Sequence, residues 1–114
     1  MGVSSFPKNY RILNQKDYQE IFKKNTYTKG KYWGLIIKKN EYNIPRLGVI
    51  VAKKNYNKAV DRNRFKRIAR EAFRVRKNKL GNFDFVVMKK KTANVNNKIL
   101  TTELNELFSK YKKI

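Results

Sequence analysis

The sequence contains no cysteine and no histidine. Their absence excludes disulfide bonds, thiolate nucleophiles, histidine general bases and the common zinc sites. Nothing therefore points to an oxidising compartment, and the cytoplasm is the expected location. No apolar run approaches the length of a membrane span, so we expect no contact with a membrane.

Acidic residues are scarce as well. Only 8 Asp and Glu stand against 29 Lys and Arg, which leaves a net charge of +21. The acids are scattered, and no spacing among them brings together the carboxylates that two-metal phosphodiester hydrolysis requires. A glycine-rich phosphate loop is also missing. We therefore expect no catalytic residue and no metal site, and the positive charge predicts a nucleic-acid partner.

Proline and glycine are few, with 2 Pro and 5 Gly, and no linker or internal repeat divides the chain. Residues 1–114 are therefore expected to form a single RNA-binding domain, of a length that supports one core. Residues 1–13 are expected to form a basic, loosely ordered N-terminal arm, because Pro7 interrupts any early helix.

Hydrophobic periodicity predicts an α+β fold, one sheet with helices packed against it. We expect helices at residues 15–24, capped by Asn14, and at residues 58–79, and strands at residues 32–37, 46–52 and 83–88. A C-terminal helix is marked by Ile99, Leu100, Leu104, Leu107, Phe108 and Tyr111. Residues 25–31 are expected to form a loop. The first two strands are expected to be antiparallel, because their connection is short.

The helix predicted after the second strand carries eight positive charges between Val60 and Lys77. At about 100° per residue, Ile68, Ala69, Ala72 and Phe73 fall within about 80° of Phe65. At about 100–200° from Phe65 fall Asn63, Lys66, Arg67, Arg70, Arg74 and Lys77. One side can pack on a core while the other offers guanidinium and ammonium groups to phosphates. The alternative is a solvated basic helix.

Aromatic residues in the first third of the chain could contact unpaired bases. Stacking on an aromatic side chain stabilises a bound base by about 1–3 kcal/mol. For Tyr18 and Phe22, base stacking and core packing are equally compatible with the sequence, and Trp33 could also be a core residue. Phosphate contacts are expected from Lys53 and Lys54, after the second strand, and from Lys89, Lys90 and Lys91, after the third.

Residues 59–73 read Ala-Val-Asp-Arg-Asn-Arg-Phe-Lys-Arg-Ile-Ala-Arg-Glu-Ala-Phe. This segment closely resembles the signature of the bacterial ribonuclease P protein subunit, Arg-Asn-Arg-x-Lys-Arg-x-x-Arg after an Ala-Val pair. Residues 18–22, 47–54 and 84–87 are similar to the first helix and two strands of that family. The resemblance covers residues 6–111.

The resemblance implies the protein subunit of ribonuclease P, the endoribonuclease that removes the 5′ leader from precursor tRNA. In this family a catalytic RNA cleaves the substrate and holds the Mg²⁺ ions, and the protein is a non-catalytic, RNA-binding subunit. A monomeric protein in a 1:1 ribonucleoprotein is expected. The implied fold is a two-layer α/β sandwich like the second domain of ribosomal protein S5. Its βαβ crossover is left-handed, against the usual rule.

The resemblance also implies roles for individual residues. Those expected to bind the catalytic RNA are Arg62, Asn63, Arg64, Lys66, Arg67 and Arg70, joined by Lys53 and Lys54. Those expected to line a cleft for the single-stranded leader are Tyr18, Phe22, Trp33 and Asn57.

Three other functions compete with this interpretation. A ribosomal or other structural RNA-binding protein has similar charge and fold class, but it does not act on tRNA leaders. A self-sufficient endonuclease would cleave without RNA and lose activity on Asp84→Asn. A membrane-active cationic peptide fits poorly, because three strands and a packed core are predicted.

Overall fold

A computed structural model of the chain describes residues 10–12, 15–23 and 25–112. Within these ranges the predicted α+β fold is confirmed, with three α-helices and one four-stranded sheet. The elements in chain order are α1 (Gln15–Lys23), β1 (Thr26–Lys29), β2 (Trp33–Lys39), β3 (Arg46–Ile50), α2 (Ala59–Arg74), a short 3₁₀ helix (Lys77–Lys79), β4 (Phe83–Lys89) and α3 (Asn97–Ser109). No helix of these ranges has the length and apolar character needed to cross a membrane.

The strands lie in the order β1-β2-β4-β3. β4 pairs antiparallel with β2 and parallel with β3. β3 therefore runs antiparallel to β2, as predicted, but the two are not neighbours, because β4 lies between them. A parallel pair needs a long crossover connection, and α2 supplies it between β3 and β4. The left hand of this crossover stays a prediction.

The loop predicted at residues 25–31 is wrong, because β1 occupies its centre. β1 is the end strand of the sheet, and three of its four side chains are exposed. An exposed strand shows no alternation of apolar and polar residues, which is the usual sequence signal. Its pairing with β2, from Thr26 opposite Ile37 to Lys29 opposite Gly34, decides its conformation.

The basic helix is shorter than predicted. α2 ends at Arg74, and the backbone passes through Val75 into the 3₁₀ helix. Lys77 therefore does not continue the exposed face of α2. Its ammonium group instead lies 4.2 Å from the centre of the Tyr10 ring.

Part of the predicted N-terminal arm contacts the sheet. Arg11 forms a parallel bridge with Leu47 of β3, and the Ile12 N–H donates to the Leu47 carbonyl at 3.0 Å. Residues 1–9 and 13 of that arm, the predicted cap Asn14 and the predicted helix end Lys24 lie outside the described residues.

The two faces of the sheet are covered unequally. α2 and α3 pack on one face, where Trp33, Leu35 and Ile37 of β2 join the main core. α1 packs on the other face, where Ile21 contacts a smaller cluster that includes Ile36. Because α1 has only nine residues, it covers only part of this second face.

A buried ion pair joins the first residue of β3 to the second residue of β4. Arg46 donates from Nε to Asp84 Oδ1 at 2.8 Å and from Nη2 to Asp84 Oδ2 at 2.9 Å. The Asn40 amide also donates to Asp84 Oδ1, and Asp17 of α1 lies 3.4 Å from Arg46 Nη1. The hydrogen bond to Asp84 raises the pKa of Arg46. Asp84 is thus occupied in holding the fold.

Candidate nucleic-acid interface

The outer face of α2 carries the residues that we call the basic strip: Asn63, Lys66, Arg67 and Arg70. All but the half-buried Lys66 are exposed. The opposite face of the helix is buried through Phe65, Ile68, Ala69, Ala72 and Phe73, as the 100° spacing predicts. The strip is therefore held at a fixed orientation by the core beneath it.

Arg62 and Arg64 differ from the strip, because the protein itself uses their guanidinium groups. Arg62 Nη1 donates to the carbonyls of Tyr56 and Asn57 at 2.9 and 2.8 Å, which ties the start of α2 to the preceding segment. Arg64 donates to the side chain of Asn97 at 2.8 Å and also holds the segment before α3. Both arginines are half-buried. They position the loops on either side of the strip and keep only part of their donor capacity for a ligand.

The remaining basic candidates also divide into exposed residues and residues whose charge is used within the fold. Lys53 and Lys54, between β3 and α2, are exposed, and so is Asn57. Lys89, in contrast, is only 4% exposed and belongs to β4, so the predicted loop position is wrong. Its ammonium group donates to Tyr56 Oη at 3.0 Å and lies 4.8 Å from the centre of the Phe65 ring. Lys89 is a core cation.

The face of the sheet beside α1 carries aromatic rings seated on glycines. The Tyr18 ring lies against Gly48 of β3, where an added Cβ would come within 2.8 Å of Tyr18 Cε1. Phe22 lies one helical turn further, with its ring centre 6.3 Å from that of Tyr18. Phe22 is 46% exposed, whereas Tyr18 is half-buried.

A second tyrosine lies on the same face of the sheet, near the edge that β1 forms. The Tyr27 ring of β1 lies against Gly34 of β2, where an added Cβ would come within 2.7 Å of its hydroxyl oxygen. Tyr27 is 49% exposed. Sequence reasoning missed it because residues 25–31 were assigned to a loop. Tyrosine and threonine alternating before Gly30 are residues that strands favour, and they were the available signal.

The pairing register shows how the two tyrosines are related. Gly34 is opposite Met88 in β4, and Gly48 is opposite Val86 in the same strand. The seats of the rings are therefore two strand spacings apart across the sheet and two residues apart along it, which separates them by about 12 Å. Between them, Met88 is partly buried at the surface of the sheet. We call this surface, with Tyr18, Phe22 and Tyr27 around it, the aromatic face.

Trp33 does not belong to this face, and its assignment to the leader cleft is corrected. Alternate residues of a strand point to opposite sides, and Trp33 points to the side covered by α2 and α3. It is fully buried, and its indole N–H donates to the Leu100 carbonyl at 3.1 Å. The core alternative for this tryptophan is the correct one.

Arg70 of the basic strip lies close enough to Tyr18 to affect its ionisation. Burial raises the pKa of Tyr18 above its ordinary value, and the nearby charge of Arg70 partly offsets this rise. Tyr18 lies against Gly48 of β3, and α2, which carries Arg70, also contacts β3. The two surfaces therefore both border β3, the end strand of the sheet.

The acidic residues are largely engaged elsewhere. Glu103 of α3 accepts the backbone N–H groups of Lys31 and Trp33 at 2.7 and 2.8 Å, which fixes the β1–β2 turn. Glu71 pairs with Arg74 on the surface of α2, and this contact lowers the pKa of Glu71. Among the described residues, no group of three or more acidic side chains is placed to hold a metal ion.

Comparison with known proteins agrees with this arrangement. The family model described as Ribonuclease P matches residues 6–112. The ribonuclease P protein component of Vesicomyosocius okutanii is 42% identical over 103 residues, which is 90% of this chain and 91% of that protein. The protein of the same name from Vibrio cholerae is 39% identical over 111 residues, 96% of this chain and 94% of its own.

Solved structures give the same result. The RNase P protein of Staphylococcus aureus superposes with a TM-score of 0.81 at 32% identity, over 89% of this chain and 93% of that one. The Thermotoga maritima protein superposes with a TM-score of 0.80 at 29% identity, over 90% and 98% of the two chains. Sequence and fold agree over nearly the whole length, and the chain belongs to the ribonuclease P protein family.

Proposed function

We propose that this protein binds the catalytic RNA of ribonuclease P through the basic strip and the 5′ leader of precursor tRNA across the aromatic face. Family membership makes the chain a subunit of the endoribonuclease that matures tRNA 5′ ends, and it implies an RNA partner. In our proposal the RNA performs the cleavage and, with the substrate, holds the Mg²⁺ ions. The protein supplies binding and orientation.

The observation that carries this proposal is the placement of two unlike surfaces beside β3. The basic strip offers arginine forks, which suit the phosphates of a folded RNA. The aromatic face offers partly exposed rings whose seats are about 12 Å apart, which suits the bases of a single strand. A substrate leader emerging from the catalytic RNA could thus contact one surface while the RNA itself holds the other.

We further propose that residues 1–114 act as one RNA-binding domain, and that a single protein joins each RNA in the cytoplasm. The net charge of +21 supports the monomer, because two such chains repel each other. Sedimentation of the free protein and of the complex measures both stoichiometries. Protein dimers that persist in the complex would contradict this part of the proposal.

Reconstitution with the cognate RNA tests the function as a whole. The purified protein should cleave nothing alone, and it should raise precursor-tRNA cleavage by that RNA at low Mg²⁺ concentration. A protein that cleaves without RNA, or that gives no stimulation, would refute the proposal.

The basic strip is tested by Arg67→Ala and Arg70→Ala, because these residues are exposed. Each variant should weaken binding to the catalytic RNA and reduce the salt slope of log affinity by about one. Lys29→Ala is the matched control, since it removes one exposed charge from β1, at the other end of the sheet. An equal loss in the control would show that net charge, and not the strip, determines binding.

The aromatic face is tested by Tyr18→Ala and Tyr27→Ala. Each should weaken binding of precursor tRNA to the complex about fivefold or more, from a stacking energy of about 1–3 kcal/mol. Binding of mature tRNA and assembly with the catalytic RNA should be unchanged. Tyr42→Ala serves as control, because Tyr42 is 54% exposed in the β2–β3 connection. Equal losses for precursor and mature tRNA would reject the assignment.

A further inference from the structure

A groove of about 370 Å³ lies between α2 and α3 and borders the basic strip at Arg67. One wall is apolar and consists of Ile68 and Ala72 of α2 and of Val75, which directly follows the helix. Val75 is 55% exposed, so this wall is open to the surface. The volume is at the lower end of the range for small-ligand pockets, about 300–1,000 Å³.

The opposite wall, on α3, is polar. Asn97, Thr101 and Asn105 follow each other at four-residue spacing and line the groove. Among the described residues, Asn105 Oδ1 is the one buried side-chain oxygen or nitrogen atom without a hydrogen-bond partner. An unpaired buried acceptor costs free energy in the isolated protein. The atom is covered by protein in the free chain, so a ligand N–H in the groove would satisfy it after the Asn105 amide turns toward the groove.

The rim of the groove is basic. Arg67, which also belongs to the basic strip, and Arg76 stand at its edges. The acid at the rim, Glu71, is paired with Arg74. A ligand that carries negative charge on either side of a flat apolar group matches this arrangement.

We propose that the α2–α3 groove binds one unpaired nucleobase of the RNA partner. The base lies against Ile68 and Val75, and the flanking phosphates contact Arg67 and Arg76. On binding, the Asn105 amide turns toward the groove, and an N–H of the base edge donates to its Oδ1. This site is separate from the leader surface, which lies on the other face of the sheet. It rests on the RNA partner that family membership implies, and not on the assignment of the leader.

Two other occupants are less well matched. A second copy of the chain would bring another charge of +21 against the rim arginines. An acidic protein segment would pair with the arginines, but it has no flat polar edge to contact the wall formed by Asn97, Thr101 and Asn105. A base combines flat apolar faces, polar edges and adjacent phosphates, which is the combination that the groove presents.

Site-specific cross-linking tests the occupant directly. The chain contains no cysteine, so Val75→Cys gives a unique attachment point for a photo-activated cross-linker. In the reconstituted complex it should label one or two unpaired nucleotides of the catalytic RNA. Ile99→Cys is the control, because Ile99 is 42% exposed on α3 but does not line the groove. Labelling only of base-paired RNA, or of a second protein chain, would overturn the proposal.

The hydrogen bond is tested by Asn105→Leu, which removes the amide and keeps the size. The variant should bind the catalytic RNA about fivefold more weakly, with an unchanged salt slope, because no phosphate contact is lost. Thermal unfolding verifies that it folds. Ile99→Ser should bind like the wild type.

Replacing the cross-linked nucleotide by an abasic one completes the test. The wild type should lose about fivefold in affinity for this RNA, and Asn105→Leu should lose nothing further. Additive losses would mean that the amide and the base do not interact, which overturns the proposal while leaving the leader assignment intact.

Discussion

The substitution Asp84→Asn tests whether the carboxylate of Asp84 stabilises the fold or takes part in catalysis. Asp84 is 5% exposed and accepts two hydrogen bonds from Arg46 and one from Asn40. The substitution retains the size of the side chain but removes the charge that balances the buried guanidinium. Loss of one partner from a buried ion pair typically costs about 3–5 kcal/mol.

The expected value for Asp84→Asn lies at the lower end of that range. Arg46 retains Asp17 at 3.4 Å and the Tyr42 ring at 4.0 Å, and the new amide still offers one acceptor oxygen. We therefore expect a loss of about 3 kcal/mol in the free energy of unfolding, or about 10 °C in the melting temperature.

Urea denaturation followed by circular dichroism measures this change. Glu71→Gln is the matched control, because it removes the same charge from an exposed ion pair and should leave the midpoint nearly unchanged. Cleavage of precursor tRNA by the complex, measured below the new midpoint, should be normal per folded molecule. An unchanged midpoint would refute the structural argument. Loss of cleavage with full stability would instead favour catalysis by the protein.

Four further predictions concern the leader surface and the turn beside it. Gly48→Ala should displace the Tyr18 ring, because the new Cβ would come within 2.8 Å of Tyr18 Cε1. It should weaken leader binding about as much as Tyr18→Ala. Wild-type affinity in a precursor-tRNA titration would contradict the contact between this ring and Gly48. Burial raises the pKa of Tyr18, so its hydroxyl ionises more easily in the unfolded chain than in the folded protein. The free energy of unfolding should therefore not depend on this group below the ordinary tyrosine pKa of about 10, and it should fall as the pH rises above that value. Arg70→Ala should raise that pKa further, which phenolate absorption relative to Tyr18→Phe measures, and a downward shift would reject the coupling. Glu103→Gln should lower the free energy of unfolding by about 2 kcal/mol, because it weakens the charge-assisted hydrogen bonds to the N–H groups of the β1–β2 turn. An unchanged urea midpoint would show that the turn is stable without these hydrogen bonds.

The strongest local patterns predicted their elements well. The 100° spacing on α2 assigned Phe65 and Phe73 to the core and Arg67 and Arg70 to the surface, because a helix long enough for several turns sorts its residues by contact with the core alone. The signature around these residues also indicated the family, since it lies within one element and needs no knowledge of distant contacts.

Strand order and side-chain environment depended on partners far away in the sequence. No local signal indicates that β4 lies between β2 and β3, because these pairings join residues 38 to 56 positions apart. The sequence pattern places Lys89 in a loop, whereas in the structure its ammonium group contacts Tyr56 and Phe65, which are distant in the sequence. For the same reason Trp33 lies in the core and not in the leader cleft, and Tyr27, which falls in the predicted loop, belongs to the aromatic face.

The sequence by itself predicted a polyanionic partner, indicated little equipment for catalysis and determined that arginines lie along one face of a helix. Composition and short-range periodicity suffice for these conclusions. Only the tertiary structure decided which charges remain available, because hydrogen bonds within the fold occupy Arg62 and Arg64 and leave Arg67 exposed. It also decided which aromatic rings face solvent, because the sheet brings Tyr27 and Tyr18 onto one surface through long-range pairing.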